Sequence, residues 1–215
     1  LVRNDARQIP INKLDTANRP IAEKIRQTYK NTVLKDSNGR LLSFFIWNKY
    51  GEYRSRHTAF LYNLGTLVAA HDAYLAEKQK HNYLTKGRYE EYIVNATSPY
   101  FMTDTTGEFS PKAIAADMHK NGVLTRIEYK DIVSREGAEI SDRDSNAAKY
   151  LRQKIQEKGY DSIIYMNANA DPGSMGVIVL DPSQMTLVSI DGKLTDENVS
   201  LDNVTKSRMD VIDNN

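Results

Sequence analysis

Apolar residues recur along this chain in short runs and at helical spacings, separated by turns rich in Gly, Pro, Asn and Asp. After Asn18-Arg19-Pro20, Ile21, Ile25 and Tyr29 share one face, which predicts a helix over roughly 20–31. Asp36-Ser37-Asn38-Gly39 is a turn cluster, and the near-continuous apolar run from Leu41 to Trp47 predicts a strand buried on both faces. A second short strand is expected over Ala59–Tyr62. A helix then opens at Gly65-Thr66, with Leu67, Ala70, Tyr74 and Leu75 on its buried side.

Arg88–Asn95 predicts a further strand. Ser110-Pro111 supplies a cap and a first-turn proline for a helix carrying Ile114 and Met118 inward and stopping near Asn121-Gly122. Leu124–Tyr129 is expected to be a strand, and residues 134–144 a charged loop. Ser145 caps a helix burying Ala148, Leu151 and Ile155, which Lys158-Gly159 terminates. Ser162–Tyr165, Val177–Leu180 and Leu187–Ile190 predict three strands around the turn-rich loop Asn167–Ser174.

Strands separated by unequal helices, without regular βαβ alternation, predict an α+β class. We expect an extended lead over residues 1–17, one main domain over 18–190 and a polar, frayed tail over 191–215. The 215 residues are 40% hydrophobic and 27% charged, enough apolar material for a real core. No apolar run reaches about 18 residues, so no membrane span is expected.

Charge changes this picture only locally. The net charge is +1, but residues 1–90 hold 16 Lys+Arg against 8 Asp+Glu, and the remainder holds 13 against 20. The basic half suits an anionic ligand as well as an ordinary solvated face. No basic-aromatic run resembles a nucleic-acid module, so no nucleic-acid partner is expected. The chain has no cysteine and four histidines, without an HExxH or other close His/carboxylate cluster, so neither thiol chemistry nor a catalytic zinc is expected.

Four stretches, in order, resemble the ADP-ribosyltransferase-like domain of phage polyvalent proteins and related bacterial effectors, a relative of the diphtheria-toxin-type transferases. The strongest runs from Gly159 to Gln184. Gly159-Tyr160-Asp161-Ser162-Ile163-Ile164-Tyr165-Met166-Asn167 is similar to the family's G-Y-D-G-aliphatic-aliphatic-Y-x-N block. Val177 to Leu180, followed by Asp181-Pro182-Ser183-Gln184, is similar to its aliphatic strand and D-P-S-Q turn. Asn95–Asp104, Tyr62–Thr66 with Ala69-Ala70, and Asp36–Trp47 carry weaker likenesses, so the resemblance spans about residues 18–190.

The resemblance implies two central sheets forming an NAD cleft and a mono-ADP-ribosyltransferase that uses NAD as substrate, without a metal, to modify a protein of a host cell. It also implies a soluble protein delivered by a phage or secreted into that cell's cytoplasm. Mapped residue by residue, the family's first-strand His falls near Ile46, or near Asn48 after a small shift, and Asn48 could hydrogen-bond a ribose hydroxyl. The His of H-x-G-T is replaced by Asn63. The carboxylate expected beside the last strands falls at Gly176, with Asp171 the nearest acid upstream.

The candidate catalytic residues are therefore Asp171, as the transition-state carboxylate, and Tyr62, as a stacking face for nicotinamide. The candidate cofactor-binding residues are Asn48, Tyr62, Asn63, Gly65, Thr66 and Arg54. In that set the Gly65 and Thr66 amides face the pyrophosphate and Arg54 clamps a phosphate. Arg56, His57, Glu136 and Glu139 are secondary candidates. Each residue also has a plain structural reading: helix cap, turn, core edge or solvated charge. The alternative function is a degenerate module of the same fold that binds NAD or a partner protein without transfer.

Overall fold

The computed structural model describes residues 27–48, 61–80, 87–103, 109–135 and 145–194. The expected lead of 1–17, nearly all of the 191–215 tail, and the loop positions Arg54, Arg56, His57, Glu136 and Glu139 lie outside them.

The described residues form two four-stranded sheets and four helices, in keeping with the expected α+β class. The first sheet has the order β1–β3–β7–β8: Ser43–Asn48, Arg88–Val94, Met185–Ile190 and Lys193–Leu194, all antiparallel. The second has the order β2–β6–β5–β4: Tyr62–Leu64, Met175–Val179, Ser162–Met166 and Pro99–Phe101. Its β4–β5 pair alone is parallel. The helices are α1 (Leu67–Lys80), α2 (Pro111–Lys120), α3 (Arg126–Ser134) and α4 (Asn146–Glu157). No described helix is long and apolar enough to cross a membrane.

Two apolar cores follow from alternation along the strands. Phe44, Tyr62, Leu64, Tyr92, Val94, Ile164, Val177 and Val179 pack together and join the two sheets. Leu61, Ile163, Tyr165, Ile178 and Leu180 point to the other face of the second sheet, where Ile114, Met118, Ile132, Leu151 and Ile155 of α2–α4 cover them. Each fully buried side chain of this size contributes roughly 1.5–3 kcal/mol. Phe45, as the two-sided burial of its strand predicts, packs the other way from Phe44, against Leu67 and Ala70 of α1.

Four sequence expectations change. Leu124–Tyr129 is not a strand: Thr125 caps α3, with its hydroxyl accepting from the Glu128 N–H while the Glu128 carboxylate accepts the Thr125 N–H. That Thr-x-x-Glu capping box outweighs the short apolar run, of which Ile127 is 73% exposed. The second strand begins at Tyr62 rather than ending there, because its pairing with Val179–Val177 covers Tyr62–Leu64. Leu75, placed on the buried side of its helix, is 41% exposed, because α1 meets the sheet only through its first turns. Beyond Asp191 the chain continues as β8, which pairs with Ser189 and Ile190.

The motif residues act as joints. Gly159 stops α4 at φ +86. Asp161 then accepts from Thr97 N and Oγ1 (2.7 Å each) and Ser98 N (3.0 Å), which fastens the approach to β4 onto the start of β5. These donors hold the Asp161 carboxyl below its usual range, against the opposing effect of burial. At the crossover from the second sheet to the first, Asp181 caps the 3₁₀ turn Pro182–Gln184, and the Gln184 amide donates to Asn95 O at the end of β3 (3.0 Å). Replacing Asp161 by Ala leaves these donors unpaired, with an expected loss of about 2 kcal/mol by denaturant unfolding. The stability that Asp161 supplies is present above its unfolded pKa and is lost as pH falls through the depressed folded value, so the wild-type advantage should shrink in acid.

Candidate functional site

Among the described residues, a bridge between β1 and the end of β2 ties the edges of the two sheets together. Phe45 N–H donates to Gly65 O (2.7 Å), and Gly65 N–H donates back to Phe45 O (3.0 Å). Beyond it, β1 stays with β3 while β2 stays with β6, and a cleft with about 620 Å³ of space, mouth included, opens between them. Its cavity volume proper is about 200 Å³, less than the roughly 300–1,000 Å³ of drug-sized ligand pockets, so it holds one ring-sized end of a ligand.

Phe45, Ile46 and Trp47 line one side, and Asn63, Leu64 and Gly65 the other. Ala69, Ala70 and Ala73 of α1 contribute only methyl groups, which is what leaves the space open. Phe109, Tyr165, Asn167 and Ala170 complete the lining. Among these described lining residues there is no Lys, Arg, Asp or Glu.

The aromatic walls are held from behind. Trp47 meets Tyr74 edge-on, 5.1 Å between ring centres, and lies against Gly87, where a Cβ would fall 2.1 Å from its Nε1. Phe109 and Tyr165 pack with centres 4.1 Å apart. Tyr165 sits on β5 opposite Gly176 of β6, and its ring crosses that glycine so that its hydroxyl reaches Asn63 Oδ1 on β2. A Cβ at Gly176 would lie 2.2 Å from Tyr165 Cζ. Position 176, where the resemblance implies a carboxylate, is thus covered by the flat face of Tyr165.

The expected site residues are distributed unevenly around this cleft. Asn63 and Gly65 line it. Tyr62, expected to offer a stacking face, points to the opposite side of β2, is 5% exposed and packs in the core between the sheets. Strand alternation is the reason: with the Asn63 side chain on the cleft side of β2, that of Tyr62 points to the opposite face. The aromatic residues in the lining are instead Phe45, Trp47, Phe109 and Tyr165, none of them among the candidate site residues. Tyr165 lies inside the Gly159–Asn167 block, and the Gly at position 176 was the signal for its path.

Asn48 lies at the end of β1 outside the lining and donates to Glu90 Oε1 (3.0 Å). The Gly65 N–H is already engaged with Phe45. Thr66 is fully buried, its hydroxyl accepting from Ala69 N–H (3.1 Å) and donating to Asp171 Oδ2 (2.6 Å). The Gly65 amide is therefore spent on the bridge rather than held for the expected pyrophosphate contact. Asp171 is 2% exposed with φ +51, and its N–H donates to Asp72 Oδ2 (3.1 Å). The two contacts of Asp171 clamp the 167–174 loop onto the start of α1 and so carry Asn167 and Ala170 to the cleft.

Behind the Ile46 wall, and directly across from it on β3, Glu90 is 1% exposed. Besides Asn48 it accepts from Arg88 Nε (2.7 Å) and the Tyr92 hydroxyl (2.7 Å). Burial pushes its carboxyl up to about 7, with the Asn48 donor pulling the other way. Among the described residues no group of three His, Cys, Asp or Glu could hold a metal.

Two outcomes follow from this packing. Gly176→Ala should displace the Tyr165 ring and destabilise the protein by about 2 kcal/mol, measured by denaturant unfolding. For Glu90, the folded state holds its proton to higher pH than the unfolded chain does, so its ionisation costs stability progressively between about pH 4.5 and 7. Relative to wild type, Glu90→Gln should therefore gain on the order of 2 kcal/mol between pH 4 and pH 8, less whatever Arg88 loses with its partner. Parallel unfolding curves across that range would contradict the raised pKa. Compared with protein-family models, with curated proteins and with solved structures, the chain matches none.

Proposed function

We propose that the protein binds NAD in the cleft between β1 and β2 and transfers its ADP-ribose to a side chain of another protein, as an ADP-ribosyltransferase-like domain of the phage and bacterial-effector kind. The observation that carries this reading is the cleft itself. Two sheets part at a bridge beside the start of α1, and the space is lined by four aromatic residues, Phe45, Trp47, Phe109 and Tyr165, together with Asn63 and Asn167. Flat aromatic faces suit a pyridinium ring, which is both planar and cationic. The Gly159–Gln184 likeness is the second support.

In such a transfer the bond between ribose C1′ and the nicotinamide nitrogen breaks, and its electron pair returns to the ring and neutralises the pyridinium. The acceptor's lone pair then forms the new bond to C1′, and the acceptor loses its proton to solvent or a base. Aromatic walls favour the bound cation, while a nearby carboxylate would favour the oxocarbenium-like transition state. Asp171 is the candidate for that charge because its loop borders the cleft, and Thr66 would need to release it.

Three observations favour a second reading, binding without transfer. The described lining holds no carboxylate, Gly176 is covered by Tyr165, and the Asp171 carboxylate is engaged beneath the surface. Incubation with NAD labelled in its adenylate, together with bacterial lysate, separates the two. Under the first reading protein-bound label accumulates and nicotinamide is released in equal amount, and Asp171→Asn lowers the rate at least about a hundredfold. Calorimetric binding with neither label transfer nor nicotinamide release supports the second reading. An Asp171→Asn variant with full transfer removes Asp171 as the acid.

A further inference from the structure

Two asparagines reach the cleft from different elements, and each has one end of its amide occupied. Asn63, on β2, receives the Tyr165 hydroxyl on its Oδ1, which turns its Nδ2 donor away from Tyr165. Asn167, at the end of β5, spends its Nδ2 on Ser174 Oγ (2.9 Å), which leaves Oδ1 as the acceptor of that side chain. The Asn167 backbone is fixed as well: its N–H donates to Ser174 O (2.8 Å), and its carbonyl accepts from Gly173 N–H (2.9 Å). The lining that holds the Tyr165 and Phe109 rings therefore also holds one N–H donor, on Asn63, and one carbonyl acceptor, on Asn167. The described lining offers no charged group to compete with them.

A donor and an acceptor lining one cleft complement a primary carboxamide, which has one carbonyl to receive a hydrogen bond and one NH2 to give. We propose that Asn63 and Asn167 form a carboxamide-reading pair, with Asn63 Nδ2 donating to the carbonyl and Asn167 Oδ1 accepting from the NH2 of an aromatic carboxamide stacked beside Tyr165. This rests on the NAD reading and deepens it by naming which end of the dinucleotide enters here and what selects it. Buried polar groups of this kind discriminate strongly, because an analogue lacking the matching atom leaves one of them unpaired.

The test is a calorimetric comparison of NAD with its acetylpyridine analogue. That analogue carries a methyl ketone in place of the carboxamide, so it keeps the charge and the carbonyl and loses only the NH2. Wild type should bind NAD about tenfold more tightly, the worth of one such hydrogen bond. Asn167→Ala should erase the preference, Asn167→Asp, which keeps an acceptor, should retain it, and Asn63→Ala should weaken both ligands by about tenfold while leaving the preference intact. Thermal unfolding of each variant confirms that it is folded.

Equal wild-type binding of the two ligands, or a preference that survives in folded Asn167→Ala, overturns the proposal while leaving NAD binding standing. If the loss falls instead on a dinucleotide lacking the 2′-hydroxyl of the nicotinamide ribose, the pair reads a diol and the carboxamide assignment is wrong. Absence of NAD binding to wild type at millimolar concentration overturns both this proposal and the NAD reading.

Discussion

The bridge between Phe45 and Gly65 is the constraint on which the rest of the site depends. Two hydrogen bonds tie β1 to the chain just after β2, and on either side of them each strand completes its pairing in a different sheet. A strand has only two edges. β1 gives one to β3 and β2 gives one to β6, so beyond the bridge their remaining edges face each other across open space. Buried backbone groups need partners, and the bridge supplies them where the strands touch. The cleft is therefore a consequence of strand pairing, and the alanines of α1 keep it from being filled.

A second packing constraint follows from the first. Tyr165 must cross β6 to reach Asn63, and it can do so only where β6 carries no side chain. Gly176 meets that need at the position where the resemblance leads one to look for an acid. An aromatic wall and a carboxylate cannot occupy the same few ångströms, so the orientation of Asn63 and the absence of an acid at position 176 are one structural choice. The Asp171–Thr66 contact on the other side of the cleft is comparable: the same bond that places the loop also engages the nearest carboxylate.

Buried carboxylates are a cost that this architecture accepts in several places. Glu91 receives the hydroxyls of Ser43 (2.7 Å) and Ser189 (2.6 Å), and Glu90 receives Arg88, Asn48 and Tyr92. Both lie in the central strand β3 at 1% exposure and point to opposite faces of the first sheet. Each bonds side chains of neighbouring positions, which fixes the register of β1 and β7 against β3 at the expense of desolvation. Apolar pairs in the same places would pack as well but would specify the alignment less.

Local signals in the sequence determined the helices and most strands. Ser110-Pro111, Ser145 and Lys158-Gly159 place caps and stops within a residue of those observed, because a cap is satisfied by atoms of its own turn. The Thr125–Glu128 box was equally local, and its apolar neighbours masked it. The Gly159–Gln184 motif was legible as a unit, and its residues prove to be joints: Asp161 to the 97–98 turn, and Gln184 to Asn95. What only the tertiary structure decided is which side chains share the cleft. Tyr62 and Asn63 are neighbours in sequence, and strand alternation sends one to the core and the other to the site. Trp47, Asn63 and Tyr165 lie far apart in sequence, and only the parting of two sheets brings them around one space. Side-chain direction and long-range pairing are set by which faces become buried, and that is a property of the assembled sheets rather than of any local stretch of chain.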